Sequence, residues 1–287
     1  MRCFYHIDMD GKCAAAIVKR KFPDKWIKFT AINYNHRFPW DEIKPGEEVI
    51  FVDFSLLEGE FDRLLKITEN VTWIDHHKTA IDFHRHLSDK IAGLRYDDKP
   101  SGCMAAWHYY FPNEPAPRVL ELLDDYDIWE FKYGDDTRMF QLGCRCYNTQ
   151  PWADTWKGWL DYNESHKLSE EVIRKGAAIK TYNDKEDYGR MKSWAFYVNH
   201  WGYRVISACG KLGSQVFDSV PKDSYDIMAP FFFDGERWTF SLYTENPDID
   251  VSKIAVEMGG GGHVNAAGFV TPDYPFKGLE IKRYRDT

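Results

Sequence analysis

The sequence predicts an α/β protein with a mainly parallel sheet in its N-terminal part and a smaller α/β domain at its C-terminal end. In the first half, short apolar runs typical of strands alternate with segments of helical spacing, and this alternation indicates a parallel sheet flanked by helices. Strand-like segments return only after a long helical stretch. We therefore expect one domain over residues 1–188 and a second over residues 193–287.

The individual elements follow from apolar spacing and from local start signals. In the first half we expect strands at 2–7, 27–33, 49–53 and 71–74, and helices at 11–21 and 61–68. The region from 101 to 188 is mostly helical; Ser101-Gly102 can open its first helix, and 168–188 forms a long one. In the C-terminal part we expect strands at 194–199, 203–208, 225–233 and 238–243.

Composition excludes several classes of protein. The 37 Lys+Arg and 45 Asp+Glu give a net charge of −8, which disfavours a stable partnership with long nucleic acid. The longest apolar runs are far shorter than the roughly 20 residues that cross a bilayer, and acidic residues follow the N-terminus too soon for a signal peptide. The six cysteines contain no C-x-x-C pair, which is typical of reduced thiols in a cytoplasmic protein.

Acidic and imidazole side chains follow three of the predicted strands. They are His6, Asp8 and Asp10 after the first strand, Asp53 after another, and Asp75, His76 and His77 after a third. Ligands of such sheets bind beyond the carboxyl ends of the strands, so these side chains are expected to converge. A strand-end Asp alone is often only a helix N-cap, but a convergent set needs a cation such as Mn²⁺, Fe²⁺, Zn²⁺ or Mg²⁺ to offset its charge.

A fourth acidic cluster, Asp124-Asp125-Tyr126-Asp127, follows an apolar helical segment. It is the expected source of one more metal ligand. Any of Asp124, Asp125 and Asp127 could supply it.

A glycine-rich segment near the C-terminal end is a candidate anion-binding site. Gly259 to Gly262 are consecutive glycines, and His263 follows them directly. Their amides are unshielded by side chains and would cradle a phosphate if a helix began just after them. A flexible hinge is the alternative interpretation.

These motifs, in this order, resemble the DHH phosphoesterase superfamily, in particular members with a C-terminal DHHA1 domain. The resemblance implies a Mn²⁺-dependent two-metal phosphoesterase, with Mg²⁺, Fe²⁺ or Co²⁺ as substitutes and an active site in the cleft between the domains. It implies the following roles: His6 and Asp8 bind one metal, Asp10, His76 and Asp125 bind the other, Asp53 bridges both, Asp75 orients the histidines, His77 faces the scissile phosphate, and Gly260, Gly261, Gly262 and His263 hold the substrate.

The expected activity is hydrolysis of short nucleotides: nano-RNA, linear or cyclic dinucleotides, or a phosphoadenosine phosphate-like monoester. The alternatives are a 5′ single-strand exonuclease similar to RecJ and a non-catalytic nucleotide-binding module. Many relatives carry an arginine in the strand before the glycine loop, where this chain has Ser241 to Thr244. Its contacts with the substrate at this position are therefore expected to differ. The sequence is compatible with a homodimer.

Overall fold

The first half of the chain forms a four-stranded parallel sheet, as the alternation of strands and helices predicts. The computed structural model describes residues 1–34, 36–97 and 99–286. The strands are β1 (Arg2–His6), β2 (Lys28–Ile32), β3 (Val49–Val52) and β4 (Val71–Ile74), paired in parallel in the order β2-β1-β3-β4. Tyr5 pairs with Val52, and Val52 pairs with Ile74, so the residues after β1, β3 and β4 emerge side by side.

Helices pack on this sheet, and its central strand β3 is apolar because both of its faces are buried. The helices are α1 (Met9–Lys21), α2 (Glu60–Leu65), α3 (Lys78–Phe83), α4 (Gly102–Tyr110), α5 (Arg118–Asp127), α6 (Asp135–Gly143), α7 (Thr155–Trp159) and α8 (Tyr162–Trp194). All four residues of β3 are buried: Ile50 and Val52 face the core formed with α1, α4 and α5, and Val49 and Phe51 face the core that includes Phe61. Within the described ranges, no helix has both the length and the apolar character needed to span a bilayer.

The turn from β1 into α1 is set by two residues of the first motif. Asp8 is the N-cap, and its Oδ1 accepts a hydrogen bond from the Gly11 amide at 2.9 Å. A Cβ atom on Gly11 would lie 2.2 Å from the carbonyl oxygen of His6, so only glycine lets the helix start this close to the strand. The apolar run from Ala14 to Val18 then buries α1 against the sheet.

The chain divides into two units, Met1–Ile179 and Lys180–Thr287, with the division inside α8. The remaining elements are β5 (Phe196–His200), β6 (Tyr203–Ser207), β7 (Ile227–Met228), β8 (Phe231–Phe233), β9 (Trp238–Tyr243), α9 (Val251–Glu257), β10 (Gly261–Gly262), β11 (Ala266–Thr271) and β12 (Lys282–Arg283). The strands form one mixed sheet in the order β10-β11-β9-β7-β6-β5-β12, with β8 also paired to β9. The stacked rings of Phe240 and Phe269, 5.2 Å apart, lie in its core.

Two elements of the structure differ in length from the elements predicted from the sequence. The long helix runs from Tyr162 to Trp194, beyond the expected 168–188, so the next strand begins at Phe196. The strand expected at 225–233 is two short strands separated by Ala229-Pro230, because proline has no amide hydrogen to donate within a sheet.

Candidate metal centre and active site

The first group of potential metal ligands lies at the carboxyl ends of β1 and β3. Ligand atoms of His6, Asp8 and Asp53 all lie within 4.8 Å of one another. His6 Nδ1 is 2.6 Å from Asp8 Oδ2 and 3.8 Å from Asp53 Oδ2. Burial lowers the pKa of His6, but the charge and hydrogen bond of Asp8 raise it, to about 9 overall. In the protein alone, an imidazolium therefore offsets part of the negative charge.

The second group lies beside the first and joins three elements. Ligand atoms of Asp10 in α1, His76 after β4 and Asp127 at the end of α5 lie within 4.8 Å of one another. His76 Nε2 is 3.3 Å from Asp127 Oδ2 and 3.9 Å from Asp10 Oδ2. His76 is almost completely buried, so its ring is fixed by packing as well as by these neighbours.

Asp53 lies between the two groups. Its Oδ2 is 3.8 Å from His6 Nδ1, and its Oδ1 is 3.4 Å from His76 Nε2, so its two oxygens face different groups. Its backbone is left-handed, with φ of 52°, a strained conformation that clusters at functional sites. Burial, followed by the charges of Asp10 and other acidic neighbours, raises its pKa well above the ordinary value. A carboxylate in this position is destabilised unless a cation is bound.

The N-terminus of α4 supports these carboxylates, a role that the sequence did not reveal. The Cys103 amide donates a hydrogen bond to Asp10 Oδ1 at 2.9 Å, and the positive end of the helix dipole favours the charge there. A Cβ atom on Gly102 would lie 2.6 Å from Asp53 Cβ and 2.8 Å from Asp10 Oδ2. Gly102 was expected only to help open a helix, and the sequence carries no signal that this glycine approaches two carboxylates from distant segments.

The structure places the residues of the fourth motif differently from the preference drawn from the sequence. Asp125, the residue preferred from sequence, is fully buried and accepts hydrogen bonds from the amides of Lys132 (2.9 Å) and Tyr133 (3.3 Å) and from the Thr137 hydroxyl. Its carboxylate thus stabilises the turn after α5. Asp127, one of the two alternatives, lies with Asp10 and His76 instead.

The other alternative, Asp124, also has a structural role. Its Oδ1 accepts a hydrogen bond from the Ser101 amide at 2.8 Å and so fixes the start of α4.

Asp75 holds His77 in a defined orientation. Its Oδ1 is 2.7 Å from His77 Nδ1 and accepts the His76 amide at 2.8 Å, while Ser55 Oγ and Trp73 Nε1 donate to Oδ2. Burial opposes ionisation of Asp75, but the charge of His77 and these hydrogen bonds hold its pKa below the ordinary range. The ring of His77 is thereby oriented by a carboxylate that does not itself have to bind a metal.

The residues present suit a divalent metal centre. Oδ2 of Asp10 and Oδ2 of Asp53 are buried and make no hydrogen bond with any described residue. Buried polar atoms of this kind normally have a partner. Carboxylate and imidazole ligands suit Mn²⁺, Mg²⁺, Fe²⁺ or Zn²⁺, and His6, Asp8 and Asp53 would hold one ion while Asp10, His76, Asp127 and Asp53 would hold the other.

The glycine-rich segment of the C-terminal unit is followed by strand β11 and not by the helix on which its interpretation as a phosphate cradle depended. Helix α9 precedes the glycines, and the amides of Gly259 and Gly260 donate back to its carbonyls. Gly261 and Gly262 form β10 and pair with β11, and the His263 amide donates to Ala266 O at 2.8 Å. A helix dipole therefore does not favour an anion here, and the exposed Gly261 and Gly262 with the His263 ring remain the candidate contacts.

Comparisons with known proteins identify several relatives. No family model matches the chain. The chain is 26% identical over 243 residues to an uncharacterized protein, R106, of Acanthamoeba polyphaga mimivirus. The alignment covers 79% of this chain and 54% of R106, so the chain spans about half the length of that protein. It is 22% identical over 318 residues to the oligoribonuclease NrnB of Bacillus subtilis, covering 98% of this chain and 75% of NrnB.

Two solved structures share the fold. A pGpG-specific phosphodiesterase, PggH from Vibrio cholerae, aligns with a TM-score of 0.51 at 12% identity, covering 94% of this chain and 93% of that one. The DHH domain of a protein described as belonging to a family of ribosomal proteins aligns with a TM-score of 0.59 at 13% identity, covering 94% and 82%. The activities named for NrnB and PggH are both hydrolyses of phosphate ester bonds.

Proposed function

We propose that this chain, which shares the fold of a solved DHH domain as its motifs predict, is a two-metal phosphodiesterase acting on short nucleotides. The observation that carries the proposal is the pair of ligand groups that share Asp53. Two neighbouring cations in such a centre polarise a phosphate oxygen and supply a nucleophilic water at neutral pH. Mn²⁺ is the proposed physiological ion.

The protein residues would position the substrate and handle protons. Because His77 Nδ1 is held by Asp75 at 2.7 Å, Nε2 is the nitrogen of this ring that would contact a phosphate oxygen or transfer a proton. We assign His77 to stabilising the charge that spreads over the phosphate oxygens during reaction. Asp75 contributes indirectly, by orienting the ring.

Short nucleotides are the proposed substrate class for two reasons. The relatives NrnB and PggH are named for short substrates, and the net charge of −8 offers no general attraction for long nucleic acid. We further propose that Gly261, Gly262 and His263 bind a substrate phosphate. All six cysteines are free thiols, which supports the proposal of a cytoplasmic location.

A substrate panel tests the proposal. Purified protein is incubated with pApA, pGpG, cyclic dinucleotides, phosphoadenosine phosphate, pyrophosphate and 20-mers of RNA and DNA, each with Mn²⁺, with Mg²⁺ and with chelator. We expect metal-dependent hydrolysis with the highest kcat/KM for substrates of two to four nucleotides. Faster digestion of the 20-mers would favour the exonuclease alternative, and bound metal without turnover of any substrate would favour a non-catalytic module.

A further inference from the structure

A cavity of about 600 Å³ lies in the N-terminal unit beside the metal-ligand groups. It is formed by the segment after β2 and the segment between β3 and α2, and its lining includes Tyr34, Arg37, Trp40, Phe54 and Leu57. This volume falls within the range of small-ligand pockets, roughly 300–1,000 Å³. None of the residues assigned to metal binding lines it.

Tyr34 connects this cavity with the catalytic groups. Its ring centroid is 5.0 Å from that of Phe54, 6.0 Å from that of His77 and 6.1 Å from that of His6. Distances in this range are those of contacting aromatic rings. A substrate whose phosphate lies at His6 and His77 could therefore extend past Tyr34 into the cavity.

The chemistry of the lining favours a flat, neutral, polar group. The Arg63 guanidinium carbon lies 4.0 Å from the centroid of the Trp40 ring. Leu57, a large apolar residue, is 59% exposed. The two arginines of the lining, Arg37 and Arg63, are matched by two carboxylates, Asp41 and Glu60. A phosphate would gain little from such a balanced set of charges. A nucleobase has a π-face for aromatic and guanidinium planes and edge groups for both charge types.

We infer that this cavity binds one of the two nucleobases that flank the scissile phosphate, an inference that rests on the proposed function. Tyr34 and Phe54 supply the aromatic wall next to the metal centre, and Arg37 and Leu57 lie in the exposed part of the lining. Base binding here would orient the phosphate against the catalytic groups. It would therefore raise kcat/KM for substrates that carry a base over those that do not.

The test compares pApA with two analogues that each lack one base, in the wild type and in two variants. Leu57→Trp narrows the cavity from an exposed position, and Arg37→Ala removes a cation from it. Arg145→Ala is the matched control, because Arg145 is an exposed arginine of the same unit outside the cavity. Thermal unfolding checks that each variant is folded, and Arg37→Ala is sufficient if Leu57→Trp does not fold.

We expect the wild type to prefer pApA over one of the two analogues by about tenfold or more, about 1.4 kcal/mol, which is within the range for base stacking. The preference should fall to about threefold or less in Leu57→Trp, and it should be unchanged in Arg145→Ala. Equal kcat/KM for pApA and both analogues, or a preference that survives both cavity variants, would overturn the inference while leaving the phosphodiesterase intact.

A binding measurement keeps the two proposals separable. Calorimetric titration with AMP and with ribose 5-phosphate, in Mn²⁺, reports the contribution of the base without turnover. If no substrate is hydrolysed, the proposed function fails, and tighter binding of AMP that is lost in Leu57→Trp would still support the cavity as a base site. Equal affinity for AMP and ribose 5-phosphate would refute it.

Discussion

Replacing Asp127 by asparagine should weaken Mn²⁺ binding about 100-fold at the group that it forms with Asp10 and His76, without destabilising the protein. The Asp127 carboxylate lies 3.3 Å from His76 Nε2 in a group with Asp10, where negative charges already raise the pKa of Asp53. Removing one of these charges relieves repulsion, so the metal-free variant should be as stable as the wild type to within about 0.5 kcal/mol. The increase in the free energy of unfolding that Mn²⁺ gives the wild type should be largely lost in the variant.

The size of that loss follows from binding linkage. At a free Mn²⁺ concentration 100-fold above its Kd, the wild type gains about 2.7 kcal/mol, whereas a variant with 100-fold weaker binding gains about 0.4 kcal/mol. For a unit of 150–250 residues, 1 kcal/mol shifts Tm by about 2–4 °C. Mn²⁺ should therefore raise the Tm of the N-terminal unit by about 5–11 °C in the wild type and by less than about 2 °C in Asp127→Asn.

Asp125→Asn is the matched control, two residues away on the same helix. Asp125 accepts hydrogen bonds from the Lys132 and Tyr133 amides and the Thr137 hydroxyl, and a neutral amide presents only one acceptor oxygen to these donors. Hydrogen bonds to charged groups contribute about 1.5–3 kcal/mol each, so we expect a loss of about 2–4 kcal/mol in the free energy of unfolding. The Mn²⁺-dependent rise in Tm should persist.

Calorimetric unfolding of both variants, in chelator and in Mn²⁺, distinguishes the two roles, and elemental analysis of the dialysed proteins counts the metal. A Mn²⁺-dependent rise in Tm that survives in Asp127→Asn but disappears in Asp125→Asn would refute our assignment. It would restore Asp125 as the ligand of the fourth motif.

Four further variants test the remaining roles. Asp53→Ala should abolish hydrolysis and release metal, because this carboxylate faces both groups; two retained ions with near-normal kcat would contradict its bridging role. His77→Ala should keep most of the metal and lose about 10²–10⁴-fold in kcat, whereas His76→Ala should lose metal as well, and equal metal content in the two variants would refute this division. His263→Ala should lower kcat/KM for a 5′-phosphorylated dinucleotide by about 10–100-fold, about 1.4–2.8 kcal/mol, without loss of metal; unchanged kinetics would leave the glycine segment a structural turn.

The convergence of the strand-end residues was predictable because it depends only on sheet topology. In a parallel sheet, the residues that follow adjacent strands leave the same edge. The observed register, with Tyr5, Val52 and Ile74 in line, brings His6, Asp53 and the residues after β4 together as expected. That step required no knowledge of side-chain orientation.

The choice within the fourth motif was not predictable in this way, because it depends on helical phase. Successive residues of an α-helix are about 100° apart, so Asp125 and Asp127 point about 200° apart around α5. Which of the two faces Asp10 depends on how α5 packs against its neighbours, and four consecutive polar letters carry no such information. The close approach of Gly102 to Asp53 was hidden for the same reason, since it arises from packing between distant segments.

The same features that suit the centre to cations also make it costly in the chain alone. Asp53 has strained backbone torsions, and burial with acidic neighbours raises its pKa. Asp10 and Asp53 each retain a buried oxygen without a hydrogen-bond donor among the described residues. The surrounding fold maintains this arrangement through groups that do not bind metal, among them the Cys103 amide and the Asp124 contact to Ser101. A bound cation would offset the repulsion between these carboxylates, so carboxylate-to-amide variants of the metal ligands should be less stable than the wild type in Mn²⁺ but not in chelator.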